Sequence, residues 1–331
     1  MKHHFGDSLD RSNRHWTIVP NRERYAYQIV NLPPGDDATA KIVTVGRQDQ
    51  DWQRILSMPA LEELTLHQPD AKQLRAIKEL SQLQRLRITH ARPKSIEFLG
   101  GLAKLEELVL EYVSGFSDLS PLAVLPRLRS LHMENLRKVS DYSGLAGAPS
   151  LRSLSIYGTL DWKQPITDFS FLAYLAKLEM LALWQVNTKA PYPALLPLTQ
   201  LKRLKRVRIP DDIFASEEYA LLQVALPKVE GTQWDACTRY AYSHLSLPED
   251  DPRAALSDAT IRAGHPEVRL LYDGRREIAD PSSEWFLFLG KGAGRAKCTH
   301  PEAEAKCQAF QDRFNQMKTE AKKRLQSMES G

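Results

Sequence analysis

A six-residue pattern with apolar residues at its first, fourth and sixth positions recurs along most of this chain. A clear copy is Leu61, Leu64 and Leu66. Further copies begin at residues 83, 105, 128, 151, 178 and 204, and a weaker one begins at Ala40. Subtracting successive starts gives steps of 21, 22, 22, 23, 23, 27 and 26 residues. So regular a period predicts an array of stacked repeats.

Each copy alternates apolar and polar residues at its end, which is typical of a half-buried β-strand. About sixteen residues then return the chain to the next strand, and they carry a second apolar set such as Phe98, Leu99 and Leu102. One coil cannot bury its own apolar face. Stacked coils bury both sets in one continuous core.

At these residues the chain resembles the leucine-rich repeat family, whose strand motif is L-x-x-L-x-L. The stretches Phe116–Leu131 and Ile166–Leu178 look like the short repeats of bacterial internalins. The resemblance covers roughly residues 40–235. It implies an α/β solenoid, with a curved parallel sheet on the concave side and short turns or 3₁₀ helices on the convex side. A bacterial cytosolic or host-directed protein is implied, with effector, immunity and scaffold roles equally open.

The chain departs from the family in the loop after each strand. The family usually places Asn three residues after the last motif leucine. Here those positions hold other residues, namely Pro69, Ala91, Val113, Leu136, Thr159 and Val186. No asparagine ladder is therefore expected to join the coils. The two longest steps place extra residues at 158–165 and 187–193, which we expect to form rim loops containing Trp162 and Tyr192.

The sequence divides into three predicted parts. Residues 1–38 are a candidate N-terminal cap, with a strand or hairpin over Trp16–Val19 and Tyr25–Val30. Residues 39–235 form the solenoid, with a helix at Ser216–Leu226 as a candidate second cap. Residues 236–331 form a small C-terminal βββα module. In it, Asp273-Gly274 predicts a hairpin turn, a third strand follows, and an apolar stripe from Ala303 onward predicts a long helix.

Composition limits what the chain can bind and where it is expected to be located. The sequence has 45 Lys and Arg residues and 41 Asp and Glu residues, which gives a net charge of +4. This charge is too small to indicate nucleic-acid binding by itself. The sequence contains no uncharged apolar window of transmembrane length, so we expect no membrane span. The first sixteen residues lack the apolar region of a signal peptide. Three cysteines form no disulfide framework, so the predicted location is cytoplasmic, or host-directed without a classical signal peptide.

Strands in register would place the positions between the leucines in columns, with neighbours about 4.8 Å apart. One column begins Glu63, Arg85, Glu107, which predicts a salt-bridge ladder. Another places Glu111 and Glu134 side by side, which is destabilising unless a cation is near. We predict a protein-binding site on this concave face, suited to a partner segment with basic and apolar side chains. Its candidate residues are Glu111, His132, Glu134, Tyr157, Met180, Trp184, Arg206 and Arg208.

An alternative hypothesis makes the C-terminal module the active part and the repeats its scaffold. Its helix would dock a partner helix, dimerise, or contact an anionic polymer. Burial of Phe310 and Phe314 against the module's own strands would instead indicate a structural helix. The basic run Lys202–Arg208 lacks interleaved aromatic residues, so we interpret it as a solvated coil balanced by nearby acidic residues, not a nucleic-acid site.

The sequence predicts no enzyme activity, no cofactor, no small-molecule substrate and no metal. Cys298, His300 and Cys307 provide only three local ligands and lack the paired spacing of zinc sites, so zinc binding there stays open. Cys237 with His244 leaves a remote alternative, a cysteine-dependent bacterial effector enzyme. Some bacterial leucine-rich repeat effectors carry a cysteine-dependent ubiquitin ligase domain after the repeats. That domain is larger than the 96 residues left here after residue 235 (331 − 235), and its Cys-x-Asp motif is absent from this chain.

Overall fold

The computed structural model describes residues 27–329. Its described part separates into two compact units, one running to Ile213 and including Ala225–Thr232, the other formed by Phe214–Val224 and the residues from Gln233 onward. The predicted strand at Trp16–Val19 lies outside the described residues. The predicted strand at Tyr25–Val30 is wrong in its described part, where Gln28 forms an isolated bridge and a 3₁₀ helix begins at Ile29. The three-part division into 1–38, 39–235 and 236–331 stays a prediction.

The first unit contains the repeats. Its strands and one helix are, in chain order, β1 (Ile42–Gly46), β2 (Glu63–His67), α1 (Ala71–Ala76), β3 (Arg85–Thr89), β4 (Glu107–Glu111), β5 (Ser130–Glu134), β6 (Ser153–Tyr157), β7 (Gln164–Ile166), β8 (Met180–Trp184), β9 (Val186–Thr188) and β10 (Arg206–Arg208). Eight of them pair side by side in the order β1-β2-β3-β4-β5-β6-β8-β10. Every pairing in this sheet is parallel.

The returns between strands are mostly 3₁₀ helices. They lie at Trp52–Ser57, Ile77–Glu79, Glu97–Gly101, Ser120–Leu122, Ser143–Gly147, Ser170–Tyr174 and Leu196–Gln200. Three of these helices begin in the same way, because an aspartate side chain accepts a hydrogen bond from the backbone N–H two residues later. The pairs are Asp118 with Ser120, Asp141 with Ser143 and Asp168 with Ser170. These side chains satisfy donors that the start of a helix leaves without partners.

The motif leucines form the predicted continuous core. Leu64, Leu86, Leu108, Leu131 and Leu154 are each at most 1% exposed, and burying one leucine contributes about 1.5–3 kcal/mol. The return residues Leu99 and Leu102 are fully buried as well. Parallel strands with short 3₁₀ returns around this core confirm the predicted fold class, a leucine-rich repeat solenoid with a small C-terminal α+β part.

The loop after each strand is built without asparagine at the usual family position. Ala91, Val113, Leu136 and Val186 occupy that position and are all at most 2% exposed, so they extend the apolar core. The two long steps add a small parallel sheet, in which β7 pairs with β9. The extra residues predicted as rim loops therefore contain strand in part.

The second unit contains α2 (Ser216–Ala225) except for its last residue. Its other elements are β11 (Cys237–Ala241), β12 (His244–Ser246), α3 (Asp258–Gly264), β13 (Val268–Leu270), β14 (Arg276–Ala279), β15 (Glu284–Phe288), β16 (Arg295–Lys297) and α4 (Ala303–Glu329). One antiparallel sheet has the order β11-β15-β16, and the other has the order β12-β14-β13. The expected hairpin, third strand and long helix are present. The sequence did not reveal β11, β12, β16 or α3.

Each small sheet has its own apolar cluster. Leu247, Ile261 and Val268 pack together beside β13 and β14. Phe286, Ala296 and Ala303 pack together where α4 begins. Phe310 of α4 stacks on Phe288, with ring centroids 5.0 Å apart, and Phe314 is 1% exposed. By the criterion set from the sequence, this part of the helix is structural.

Candidate interaction surface on the repeat sheet

Strand register brings the candidate residues into the predicted columns. Glu111 of β4 pairs with Glu134 of β5, which pairs with Tyr157 of β6, which pairs with Trp184 of β8. We call this set, Glu111, Glu134, Tyr157 and Trp184, the acidic–aromatic row. It forms because each of these residues is the last of its strand and the strands are parallel without a register shift.

The first column is a salt-bridge ladder, as predicted. Arg85 lies between two carboxylates, with its Nη1 3.6 Å from Oε2 of Glu63 and its Nε 3.2 Å from Oε2 of Glu107. Both glutamates are at most 3% exposed. Because the two partners of Arg85 come from the strands on either side of it, the ladder joins three repeats.

The cation beside Glu111 comes from the chain itself. Arg87 donates from Nε to Oε2 of Glu111 at 2.8 Å, and both residues are buried. The sequence interpretation assumed that Glu111 and Glu134 need a cation from outside the chain to offset their repulsion. That assumption is wrong for Glu111, because Arg87 lies diagonally across from it on the next strand.

Glu134 has a different environment. Its Oε2 lies 3.8 Å from Nε2 of His132, beyond hydrogen-bonding distance. The His132 ring meets the Tyr157 ring edge to face, with centroids 4.9 Å apart. Burial raises the pKa of Tyr157, with Glu134 also raising it and Arg208 lowering it. The uncompensated charge of the row therefore lies on the half-buried carboxylate of Glu134, next to the rings of His132 and Tyr157.

Exposure divides the eight candidate residues. Trp184 is 49% exposed and Arg208 is also exposed, whereas Met180 and Glu111 are each 7% exposed. His132, Glu134, Tyr157 and Arg206 are half-buried. Trp184 is therefore the largest accessible apolar group among them, and the buried pair contributes to the sheet beneath it.

The basic run before β10 is partly neutralised. Lys205 Nζ lies 2.8 Å from Oε2 of Glu179, and Arg206 donates from Nε to Oε2 of Glu230 at 2.8 Å. The sequence interpretation assigned this balance to acidic residues near the run in the chain. Glu179 and Glu230 belong to neighbouring coils, which places them beside β10 through the repeat.

The sequence missed a set of residues at the ends of the strands. Gln68, His90, Tyr112, Asn135 and Gln185 all have left-handed backbone, with φ between 47° and 56°. His90 and Tyr112 stack with ring centroids 4.8 Å apart. The only signal in the sequence is their spacing, because each directly follows a motif strand.

A shallow pocket of about 360 Å³ lies along this edge. It is lined by His90, Arg92, Tyr112, Ser114, Asn135 and Arg137. Burial raises the pKa of Tyr112, and the carboxylates of Glu134 and Glu111 raise it further. The edge thus continues the polar surface of the acidic–aromatic row.

Three side chains in this region have the donor types that hold a metal ion. One ligand atom each from Glu111, His132 and Glu134 can be chosen so that all lie within 4.8 Å of one another. Among residues 27–329 this is the only such group of histidine, cysteine or acidic side chains. Cys298, His300 and Cys307 are thus not brought together in that way.

The environment of Cys237 bears on the enzyme alternative. Its Sγ lies 3.3 Å from the backbone oxygen of Cys307. Burial, followed by the neighbouring Cys307, raises the pKa of Cys237 to about 12. Reactive cysteines have the opposite environment, which stabilises the thiolate. Separately, none of the described helices is both long and apolar enough to span a membrane.

Comparisons with known proteins concern the repeats. No protein-family model matches this chain, and a comparison with curated proteins found no match. An internalin of Listeria monocytogenes is 20% identical over 51% of this chain and 48% of its own, with a TM-score of 0.40. An internalin C2 of that species is 24% identical over 51% of this chain and 69% of its own, with a TM-score of 0.36.

A leucine-rich repeat protein of Leptospira interrogans is 14% identical over 58% of this chain and 61% of its own, with a TM-score of 0.33. This chain spans about half the length of the first internalin. All three identities are below 25% and all three TM-scores are below 0.5. The class is therefore defined by the pairing and register described above: the first unit is a leucine-rich repeat solenoid.

Proposed function

We propose that the repeat sheet binds a partner protein at the acidic–aromatic row. The observation that supports this most is Trp184, a tryptophan 49% exposed at the end of a strand, beside Tyr157 and two strands away from Glu134 in the same row. Tryptophan and tyrosine are enriched among residues that dominate binding energy at protein interfaces. An exposed tryptophan on an ordered strand also loses little conformational entropy when it binds.

The partner has a definable chemistry. An apolar side chain of the partner packs against Trp184 and the accessible part of Tyr157. A basic side chain approaches Glu134, because Arg87 already neutralises Glu111. This narrows the site from the full concave face to the end of β5, β6 and β8. No enzyme activity is part of this proposal.

The test compares two exposed aromatic residues of the same unit. Tagged full-length protein captures partners from native lysate in three forms: wild type, Trp184→Ala and Tyr174→Ala. Tyr174 is 64% exposed on a 3₁₀ return and lies outside the row, so it is the matched control. We expect a partner that wild type and Tyr174→Ala retain and Trp184→Ala loses. A partner retained by a folded Trp184→Ala protein would show that the row is not the site.

A specific observation favours a second site, on the C-terminal unit. Tyr240 and Tyr242 are 49% and 55% exposed, and Arg295 lies 4.5 Å from the Trp285 ring centroid. Strand pairing places Tyr240, Trp285 and Lys297 across from one another on one face of the sheet. This aromatic and cationic face replaces α4 as the candidate interaction element. Retention by Trp184→Ala with loss by Tyr240→Ala/Tyr242→Ala would assign binding there.

A further inference from the structure

We infer that Glu111, His132 and Glu134 form a binding site for a divalent transition metal of the zinc class. The inference goes beyond the proposed partner binding, because it concerns the protein alone. The three residues come from adjacent strands β4 and β5 and have converging ligand atoms within 4.8 Å of one another. One imidazole and two carboxylates are a donor set that zinc accepts in proteins.

The distances require only side-chain adjustment. Zinc with bonds of about 2.0–2.2 Å holds its tetrahedral ligands roughly 3.3–3.6 Å apart. Nε2 of His132 and Oε2 of Glu134 are already 3.8 Å apart. These two residues are at i and i+2 of one strand, and Glu111 is directly paired with Glu134, so the backbone already fixes all three positions.

The histidine gives a second, independent observation. Nε2 of His132 is buried and has no hydrogen-bond partner within the described part of the chain. A buried polar nitrogen without a partner destabilises the fold. It is also the atom that lies 3.8 Å from Oε2 of Glu134. A metal ion satisfies this nitrogen and takes Glu134 as a ligand, so the ion and a basic partner side chain compete for that carboxylate.

Arg87 fits this arrangement as a positioning residue. Both of its hydrogen bonds to Glu111 go to Oε2. Carboxylate ligands are commonly oriented by such an outer hydrogen bond. The formal charges of the two carboxylates and Arg87 add up to −1, which favours a divalent cation.

Ligand number and type select the metal class. Three protein ligands leave one position of a tetrahedral zinc to water or to another donor. Calcium takes six to eight oxygen ligands, and magnesium prefers oxygen in octahedral geometry, so neither suits a three-ligand site with imidazole. Glu134 and His132 are half-buried and Glu111 is nearly covered, so the ion enters from the Glu134 side.

The test is zinc binding to the metal-free full chain, by titration against a chromophoric chelator. We expect one tight Zn²⁺ per chain, and Mg²⁺ and Ca²⁺ in excess do not displace it. His132→Asn and Glu134→Gln each weaken this binding by at least about 100-fold, because loss of an outer partner alone already costs about 10–100-fold. Circular dichroism of each variant verifies that it is folded.

Two control variants separate this site from other donors. Cys298→Ser/Cys307→Ser removes the cysteines of the C-terminal unit, and His3→Asn/His4→Asn removes the adjacent histidines of the N-terminus. Both retain the tight zinc. Unchanged zinc affinity in His132→Asn and Glu134→Gln, or its loss in either control, would overturn the inference. No partner is present in the titration, so a failure to bind zinc does not contradict the proposed partner site. A failure to capture a partner likewise does not contradict the zinc site.

Discussion

At the scale of single residues, glutamine side chains join neighbouring coils where the family would use asparagine. Gln164 is 1% exposed, and its amide accepts from the Leu136 N–H and donates to the backbone oxygens of Leu136 and Val139. Gln73 acts similarly, donating to the Gly46 oxygen and accepting from the Asp70 N–H. The sequence showed that asparagine was missing. It did not show the replacements, because Gln164 comes from the inserted residues of a later repeat.

We predict that Gln164→Met lowers the free energy of unfolding by about 2–4 kcal/mol. Methionine has a similar length but leaves buried backbone groups of the preceding coil without partners, and each costs about 1–3 kcal/mol. Gln200→Met is the control, since Gln200 is exposed at the end of a 3₁₀ return. Urea unfolding followed by circular dichroism measures both. Equal stability of the two variants would mean that water replaces the bonds of Gln164.

The candidate site shows the same limit at the residue scale. A repeat step of 23 residues places Glu111 beside Glu134, a step of 27 residues places Tyr157 beside Trp184, and the structure has this register. Burial was not predictable from the period. Arg87 belongs to a different column and reaches Glu111 diagonally, and only side-chain packing determines that contact.

At the scale of elements, long and periodic segments were predictable and short ones were not. The motif strands and α4 have strong apolar periods that the sequence displays directly. β9 and β16 have only three residues each, and β11 has three exposed residues in five. Such strands are defined by the partner that they pair with. The local sequence alone therefore carries too little signal to identify them.

Ion pairs between successive coils add a pH-dependent contribution to the stability of these elements. Glu179 lies 2.7 Å from an Arg152 nitrogen and 2.8 Å from the Lys205 Nζ. The hydrogen bond from Arg152, followed by that from Lys205, lowers the pKa of Glu179 to about 2, against the opposing effect of burial. A lowered folded-state pKa stabilises the fold above the unfolded value of about 4.3, and that stabilisation is lost as pH falls toward 2.

We therefore predict that Glu179→Gln lowers the melting temperature at pH 7 and that the difference from wild type shrinks between pH 5 and pH 2. The loss at pH 7 is about 1 kcal/mol or less, because the pair is partly exposed and water screens it. Glu97→Gln, at an exposed position, is the matched control. Thermal unfolding across this pH range measures the effect. A difference that stays constant with pH would contradict the role of Glu179.

At the scale of the whole molecule, the two units have separate apolar clusters. In the repeats, each coil packs on its neighbours, so stability is close to a sum over coils and their interfaces. In the second unit, the cluster around Ile261 involves residues between Leu247 and Ile278. A destabilising substitution inside one cluster should therefore lower local stability mainly within the unit that contains that cluster. Two single substitutions at fully buried positions distinguish this from a single cooperative fold.

Leu154→Ala in β6 and Ile261→Ala in α3 each remove a side chain that is 0% exposed, with an expected loss of about 2–5 kcal/mol. Since about 1.4 kcal/mol corresponds to tenfold in an opening equilibrium, amide hydrogen exchange accelerates by at least about tenfold near each substitution. We predict faster exchange in the repeats of Leu154→Ala, with residues 258–288 unchanged, and the opposite pattern in Ile261→Ala. Hydrogen-exchange mass spectrometry of the full chain resolves both regions. Acceleration by the same factor everywhere in both variants would instead mean that the chain opens as one cooperative unit, and the separate clusters would then not act as separate sources of stability.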